Sequence, residues 1–179
     1  MIFRETALKG AFVIEPDRKE DERGFFARTW CAEEFASHGL NATLVQCNIS
    51  YNKKKGILRG MHFQVAPHEE VKLVRCTMGA IHDVIIDLRR DSPTYTRYFS
   101  TVLSQVNRHA LYIPEGMAHG FQTLEDDTEV FYQMSHRFEA ESARGVRWDD
   151  PLFGIIWPSD VRIISKRDQQ YPDFVPERI

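Results

Sequence analysis

Along most of this chain, apolar and polar positions alternate over short runs rich in β-branched and aromatic residues. AFVIEP (11–16), FFARTW (25–30), ATLVQCNIS (42–50), ILRGMHFQ (57–64), VKLVRCTM (71–78) and AIHDVIIDLR (80–89) each read as a strand. So do YTRYFSTVLS (95–104), ALYIP (110–114), GFQTL (120–124) and TEVFYQMSHRF (128–138). Gly56, Gly79, Pro93, Asn107, Pro114 with Gly116, and Asp126–Asp127 punctuate these runs as turns. The turn DERG (21–24) separates the first two, and CAEEFASHG (31–39) predicts a helix, acidic in its first turn and stopped by Gly39. Many short strands between turn signals predict an all-β sandwich or barrel. The Pro- and Asp-richer stretch 151–179 is expected to wrap that barrel with a short helix.

Two of the runs break the usual apolar-in, polar-out rule. In 81–88, Ile81, Asp83, Ile85 and Asp87 share one face, and His82, Val84, Ile86 and Leu88 the other. In 130–138, Val130, Tyr132, Met134, His136 and Phe138 share a face. Acids and histidines on both faces fit a barrel enclosing a polar cavity, and equally fit faces that are simply solvated.

Composition narrows the function. A chain of 179 residues is most simply one domain, and 42% apolar with 27% charged residues is ordinary for a globular fold. The net charge of −3 argues against a general nucleic-acid partner, so an anionic ligand must meet a local cluster of cations. Cys31, Cys47 and Cys76 form an odd set without C-x-x-C spacing, which fits reduced thiols in the cytoplasm. The N-terminal MIFRETALKG has no apolar signal-peptide core, and no apolar run is long enough to span a bilayer, so no membrane partner is expected.

Two segments carry candidate chemistry: Gly56-Ile-Leu-Arg-Gly-Met-His62-Phe-Gln64 and Pro114-Glu-Gly116-Met-Ala-His119. Together they resemble the paired signatures of cupin β-barrels. Metal-binding cupins carry H-x-H followed by Glu in the first signature, and a third His in the second. Here Gln64 stands in place of the second histidine, and an amide is a poor ligand for zinc or iron. His62, Glu69 or Glu70, and His119 could still compose a 2-His-1-carboxylate site. Without a metal, the histidines are free for acid–base work.

RGMHFQ (59–64), KLVR (72–75), DVIIDLR (83–89), SPTY (92–95), IPEGMAHGF (113–121), WDDP (148–151), WP (157–158) and SKRD (165–168) follow one another in order. With DERGFF (21–26) and QCNIS (46–50), this series resembles the dTDP-4-dehydrorhamnose 3,5-epimerase family from about residue 10 to about residue 174. The resemblance implies one cupin-type jelly-roll domain over 1–179, a homodimer, and no metal or other cofactor. It also implies epimerisation at C3, C5 or both of a nucleotide-diphosphate 4-keto-6-deoxy sugar through an enolate, in nucleotide-sugar and surface-polysaccharide biosynthesis.

Inversion beside a ketone needs a base, a group that stabilises the enolate, and an acid on the other face. Imidazole is the natural base near neutral pH. The resemblance assigns these roles to His62 with Asp168 as its orienting carboxylate, Lys72 at the C4 oxygen, and Tyr132 as the acid. It implies that Arg23, Arg59 and His119 hold diphosphate or sugar oxygens. Arg28, Gln46, Asn48 and Phe138 are the further substrate-binding residues it suggests, and Asp83 is a partner behind His119. Taken singly, Tyr132 reads as a wall aromatic, Lys72 as a solvated strand residue, Lys53-Lys54-Lys55 as a solvated turn, and His38, His68 and His109 as surface. The chain departs from the family pattern in three places. Arg28 and Ala143 stand where the family commonly has Glu, and Arg167 where it commonly has Lys, which puts the thymidine carrier in doubt. Two other classes stay open: a metal-dependent cupin oxygenase, and a non-catalytic nucleotide-sugar-binding cupin.

Overall fold

The computed structural model describes residues 1–176. Two β-sheets face one another. The first runs in the order β1 (Ile2–Glu5), β2 (Phe12–Glu15), β10 (Ala110–Ile113), β7 (Lys72–Met78), β12 (Thr128–Met134), β5 (Gln46–Asn52). The second runs β13 (Ala143–Gly145), β6 (Ile57–Gln64), β11 (Met117–Thr123), β8 (Ala80–Asp87), β9 (Tyr98–Ser104), and β14 (Ile163–Ile164) joins β6 in parallel. A separate hairpin pairs β3 (Lys19–Asp21) with β4 (Gly24–Phe26). Two short helices, α1 (Ala32–Ser37) and α2 (Lys166–Gln169), complete an all-β cupin-type jelly roll.

Three apolar clusters follow from the alternation. Val74, Cys76, Leu111 and Val130 of the first sheet meet Ile81, Ile85, Leu103 and Phe121 of the second, which fills one end of the space between the sheets. The outer face of β8 is not solvated: Val84, Ile86 and Leu88 pack under Phe153, Trp157 and Phe174 of the C-terminal stretch. Both faces of β8 are therefore covered, and every residue of it but His82 is buried. On the first sheet, Phe35 of α1 packs with Ile14, Leu73 and Tyr112.

Several strand boundaries differ from the sequence reading. The run 25–30 is extended only to Phe26, because Trp30 turns inward against the Phe35 ring, 6.5 Å between centroids. The run 42–50 pairs only from Gln46. The run 128–138 stops at Met134, where the Ser135 N–H donates to Val71 O and the chain turns away. Strand β1 had no clear signal in the sequence, since its residues are mostly exposed on an edge. The expected domain limit at residue 179 lies outside the described residues.

Candidate active site

The end of the inter-sheet space that the apolar core leaves unfilled is a cavity of about 890 Å³. Its walls come from β5, β6, β7, β11, β12, β13, β14 and the start of α2. The close approach of β6 and β11 sets the geometry of one wall. Gly60 has φ +137°, and a Cβ placed on it would lie 2.5 Å from the Gly120 Cα, so only glycine fits. This contact brings His62 directly opposite His119 in the strand register.

Each of these histidines is held by a buried carboxylate. His62 Nε2 lies 2.7 Å from Asp168 Oδ1, with the imidazole 42% exposed and the carboxylate 5%. Asp168 arrives on α2, where the Ser165 side chain caps its backbone N–H, and its second oxygen lies 3.4 Å from the Gly60 N–H. Burial by itself would raise the Asp168 carboxyl, but the His62 hydrogen bond and charge, the Gly60 N–H and the Ser165 contact outweigh it. The carboxyl is therefore held below its ordinary range and is ionised at neutral pH. An ionised acceptor requires Nε2 to carry the hydrogen, which leaves Nδ1 as the lone-pair nitrogen of a neutral His62. On β8, the next strand of the same sheet, Asp83 is fully buried, and its Oδ1 lies 2.7 Å from His119 Nε2.

The opposite wall carries Lys72 and Tyr132. Both line the cavity, on the neighbouring strands β7 and β12. Burial pushes the Tyr132 phenol upward, only partly opposed by the Arg59 guanidinium, so it is protonated at neutral pH. The Lys72 Nζ pairs with the buried Glu70 carboxylate and lies 3.4 Å from the His62 main-chain oxygen. Arg59 lines the same cavity and is braced by Asn52 Oδ1 at 2.7 Å. Towards the mouth, Gln46 donates to Asn48 Oδ1 and accepts from the Phe138 N–H, each at 3.0 Å. Phe138 is 52% exposed.

Two expected binding residues are not brought here. Arg23 sits on the exposed β3–β4 hairpin and is tied to Asp21 at 2.6 Å, while Arg28 is paired with Glu34 of α1 at 2.7 Å. Neither lines the cavity of its own chain. Gln64 is a structural brace: its amide spans His68 O, Arg137 O and the Glu139 N–H. Of the residues considered for a metal, His62 and His119 each meet a carboxylate through Nε2, and Glu70 pairs with Lys72. Among the described residues, no group of three His, Cys, Asp or Glu is placed to hold a metal ion. Among the lining residues, Arg144, on a three-residue element without periodicity, was not singled out in the sequence, Arg167 was noted only as a departure from the family pattern, and Glu70 was not recognised as a partner of Lys72. The spacing of Glu70 and Lys72 by two on a strand entry was the available signal for the last.

The family profile of dTDP-4-dehydrorhamnose 3,5-epimerase matches residues 5–175. The chain belongs to this family. A dTDP-4-dehydrorhamnose 3,5-epimerase of Methanothermobacter thermautotrophicus is 42% identical over 172 residues, covering 94% of this chain and 92% of the relative. Among solved structures, the dTDP-4-dehydrorhamnose 3,5-epimerase of Bacillus anthracis with TDP and PPi bound superposes with a TM-score of 0.93 at 38% identity, covering 97% of this chain and 99% of the other. A Legionella pneumophila 3,5-epimerase in complex with dTDP-4-keto-L-rhamnose gives 0.90 at 31% identity, covering 99% and 94%. Membership of the epimerase family makes the chain an isomerase, and the dyad, lysine and tyrosine in its cavity are residue types suited to that chemistry.

Proposed function

We propose that the cavity epimerises a nucleotide-diphosphate 4-keto-6-deoxy hexose, with the proton removed on one wall and returned from the other. One observation carries this: the His62–Asp168 dyad on β6 and α2 faces Tyr132 and Lys72 on the opposite sheet across a single cavity. The C4 ketone acidifies the hydrogens at both C3 and C5, so either carbon or both can be inverted. The lone pair of His62 Nδ1 takes the α-hydrogen as a proton, and the C–H electron pair passes into the enolate. Asp168 stabilises the resulting imidazolium. Lys72 donates to the C4 oxygen where negative charge develops. Tyr132 O–H then delivers a proton to the opposite face of the same carbon.

Arg59 and His119 suit the diphosphate and sugar oxygens, while Gln46, Asn48 and the exposed Phe138 ring suit the nucleoside, which stacking would hold with little choice of base. Ala143 offers no acceptor at the nucleoside end. Binding of dTDP is therefore expected to be no tighter than that of the best among UDP, GDP and CDP. Selective binding of dTDP by tenfold or more, about 1.4 kcal/mol, in a thermal-shift and titration series contradicts that. No metal takes part in the proposed steps, and activity should survive prolonged chelation.

Arg23 and Arg28 do not line the cavity of their own chain, and we infer that they meet substrate in that of a second copy. We therefore read the protein as a single-domain homodimer, a reading supported by the open edge strand β5 with Ile49 63% exposed and by Phe26 at 76% on the hairpin. A cytoplasmic biosynthetic enzyme fits the free thiols and the absence of any helix, among the described residues, long and apolar enough to cross a membrane. The experiment is incubation with a dTDP-linked 4-keto-6-deoxyhexose followed by NMR. Inversion at C3, C5 or both supports the reading, and neither inversion nor solvent exchange with any of the four nucleotide carriers refutes it.

A further inference from the structure

We propose that Glu70 is the positioning residue that aims the Lys72 ammonium at the substrate oxygen. The inference rests on the epimerase reading, in which Lys72 faces the developing oxyanion. Lys72 opens β7, and Glu70 precedes it by two residues, so both side chains leave the extended chain on the same side. Both line the cavity, yet both are buried, with 3% of the Glu70 side chain and 10% of the Lys72 side chain exposed.

An ammonium carries three N–H donors in tetrahedral array. One meets the Glu70 carboxylate and a second points to the His62 main-chain oxygen at 3.4 Å. Fixing two directions fixes the third, which remains for a ligand in the cavity. The His62 oxygen is a long contact and cannot hold a flexible four-carbon stem alone. The Glu70 bond is the stronger of the two anchors, being charge-assisted on both sides.

Stability does not account for the pair. A buried ion pair is often no better than apolar residues of the same volume, and here the second Glu70 oxygen is buried without any partner. The sequence thus keeps an imperfectly satisfied carboxylate at the one place where it can orient the cavity's lysine.

The test compares kcat and KM of Glu70→Leu, Glu70→Gln, Lys72→Met and the Glu70→Leu/Lys72→Met double variant on the keto-sugar nucleotide. Glu70→Leu should lower kcat at least tenfold with KM within threefold of the parent. Glu70→Gln offers an oxygen to the same N–H and should recover kcat to within threefold of the parent. The double variant should match Lys72→Met within threefold, because Glu70 acts only through the lysine. It also removes both charges together, so it reports even if Glu70→Leu, which leaves a buried ammonium alone, does not fold. A smaller loss in Glu70→Leu, no recovery in Glu70→Gln, a change confined to KM, or a double variant tenfold below Lys72→Met overturns the proposal. An unmutated protein that turns over no keto sugar would instead overturn the epimerase reading itself.

Discussion

Replacing Asp168 by Asn removes a charge while leaving the shape of the dyad nearly intact. The Ser165 cap of α2 binds the backbone N–H of residue 168 and survives the change. What is lost is the counter-charge 2.7 Å from His62 Nε2. Two unit charges at this range attract by roughly 6 kcal/mol at an effective dielectric of about 20. The His62 side chain is 42% exposed, so water screens much of that gross attraction. The net is closer to that of a hydrogen bond to a charged group, about 1.5–3 kcal/mol. This energy is gained as the imidazole becomes imidazolium, so it is lost from the barrier and not from substrate binding. The rate should fall about ten- to hundredfold, with KM nearly unchanged. Solvent deuterium exchange and inversion, followed together by NMR in heavy water, should slow by the same factor. A second readout comes from stability. A carboxyl held low in the fold contributes stability that is present above its unfolded value, about 3.9, and is lost as pH falls through its folded value. Any stability gap between parent and Asp168→Asn at pH 7 should therefore shrink on acidification. A kcat within threefold of the parent, or a loss expressed only in KM, refutes the role given to Asp168.

Two further outcomes follow from the scaffold around the site. Asp87, fully buried, is held at about 2 against the cost of burial by Arg89, Ser92 and Thr94. It should contribute roughly 2–3 kcal/mol above pH 4 that disappears as pH falls through 2, so denaturant unfolding of Asp87→Asn should lose its difference from the parent at the acid end; a difference unchanged by pH contradicts this. Gly60→Ala forces a Cβ to within 2.5 Å of the Gly120 backbone at a φ of +137°; we expect a loss of about 2–4 kcal/mol in unfolding free energy and a displaced His62. Parent-like stability and kcat would show that β6 and β11 can separate there at no cost.

How much could be read from the chain depended on how local the determining contact was. The strand over 57–64 was legible with both ends, because glycine precedes it and apolar and polar residues alternate over Met61–Gln64. Trp30 misled because an aromatic run looks like a strand, while its packing partner Phe35 lies on a helix. The cavity floor was legible where motifs carry it, as at His62 and His119. Arg144 was not, since an element of three residues leaves no periodic trace. Arg23 and Arg28 could be named from motifs, but their distance from the cavity is a property of how the hairpin folds. Glu70 was visible as a carboxylate near His62, and only the structure shows that it faces Lys72.

The central claim is that different walls remove and return the proton, His62 on one side and Tyr132 on the other. The direct measurement is the fate of deuterium at C3 and C5 when parent, His62→Ala and Tyr132→Phe turn over a 4-keto sugar nucleotide in heavy water. The account predicts solvent deuterium at every inverted centre for the parent, and neither exchange nor inversion for His62→Ala. For Tyr132→Phe it predicts continued proton removal with a larger share of exchange that retains configuration. Exchange by His62→Ala at the parent's rate, or inversion by Tyr132→Phe at the parent's rate, contradicts it.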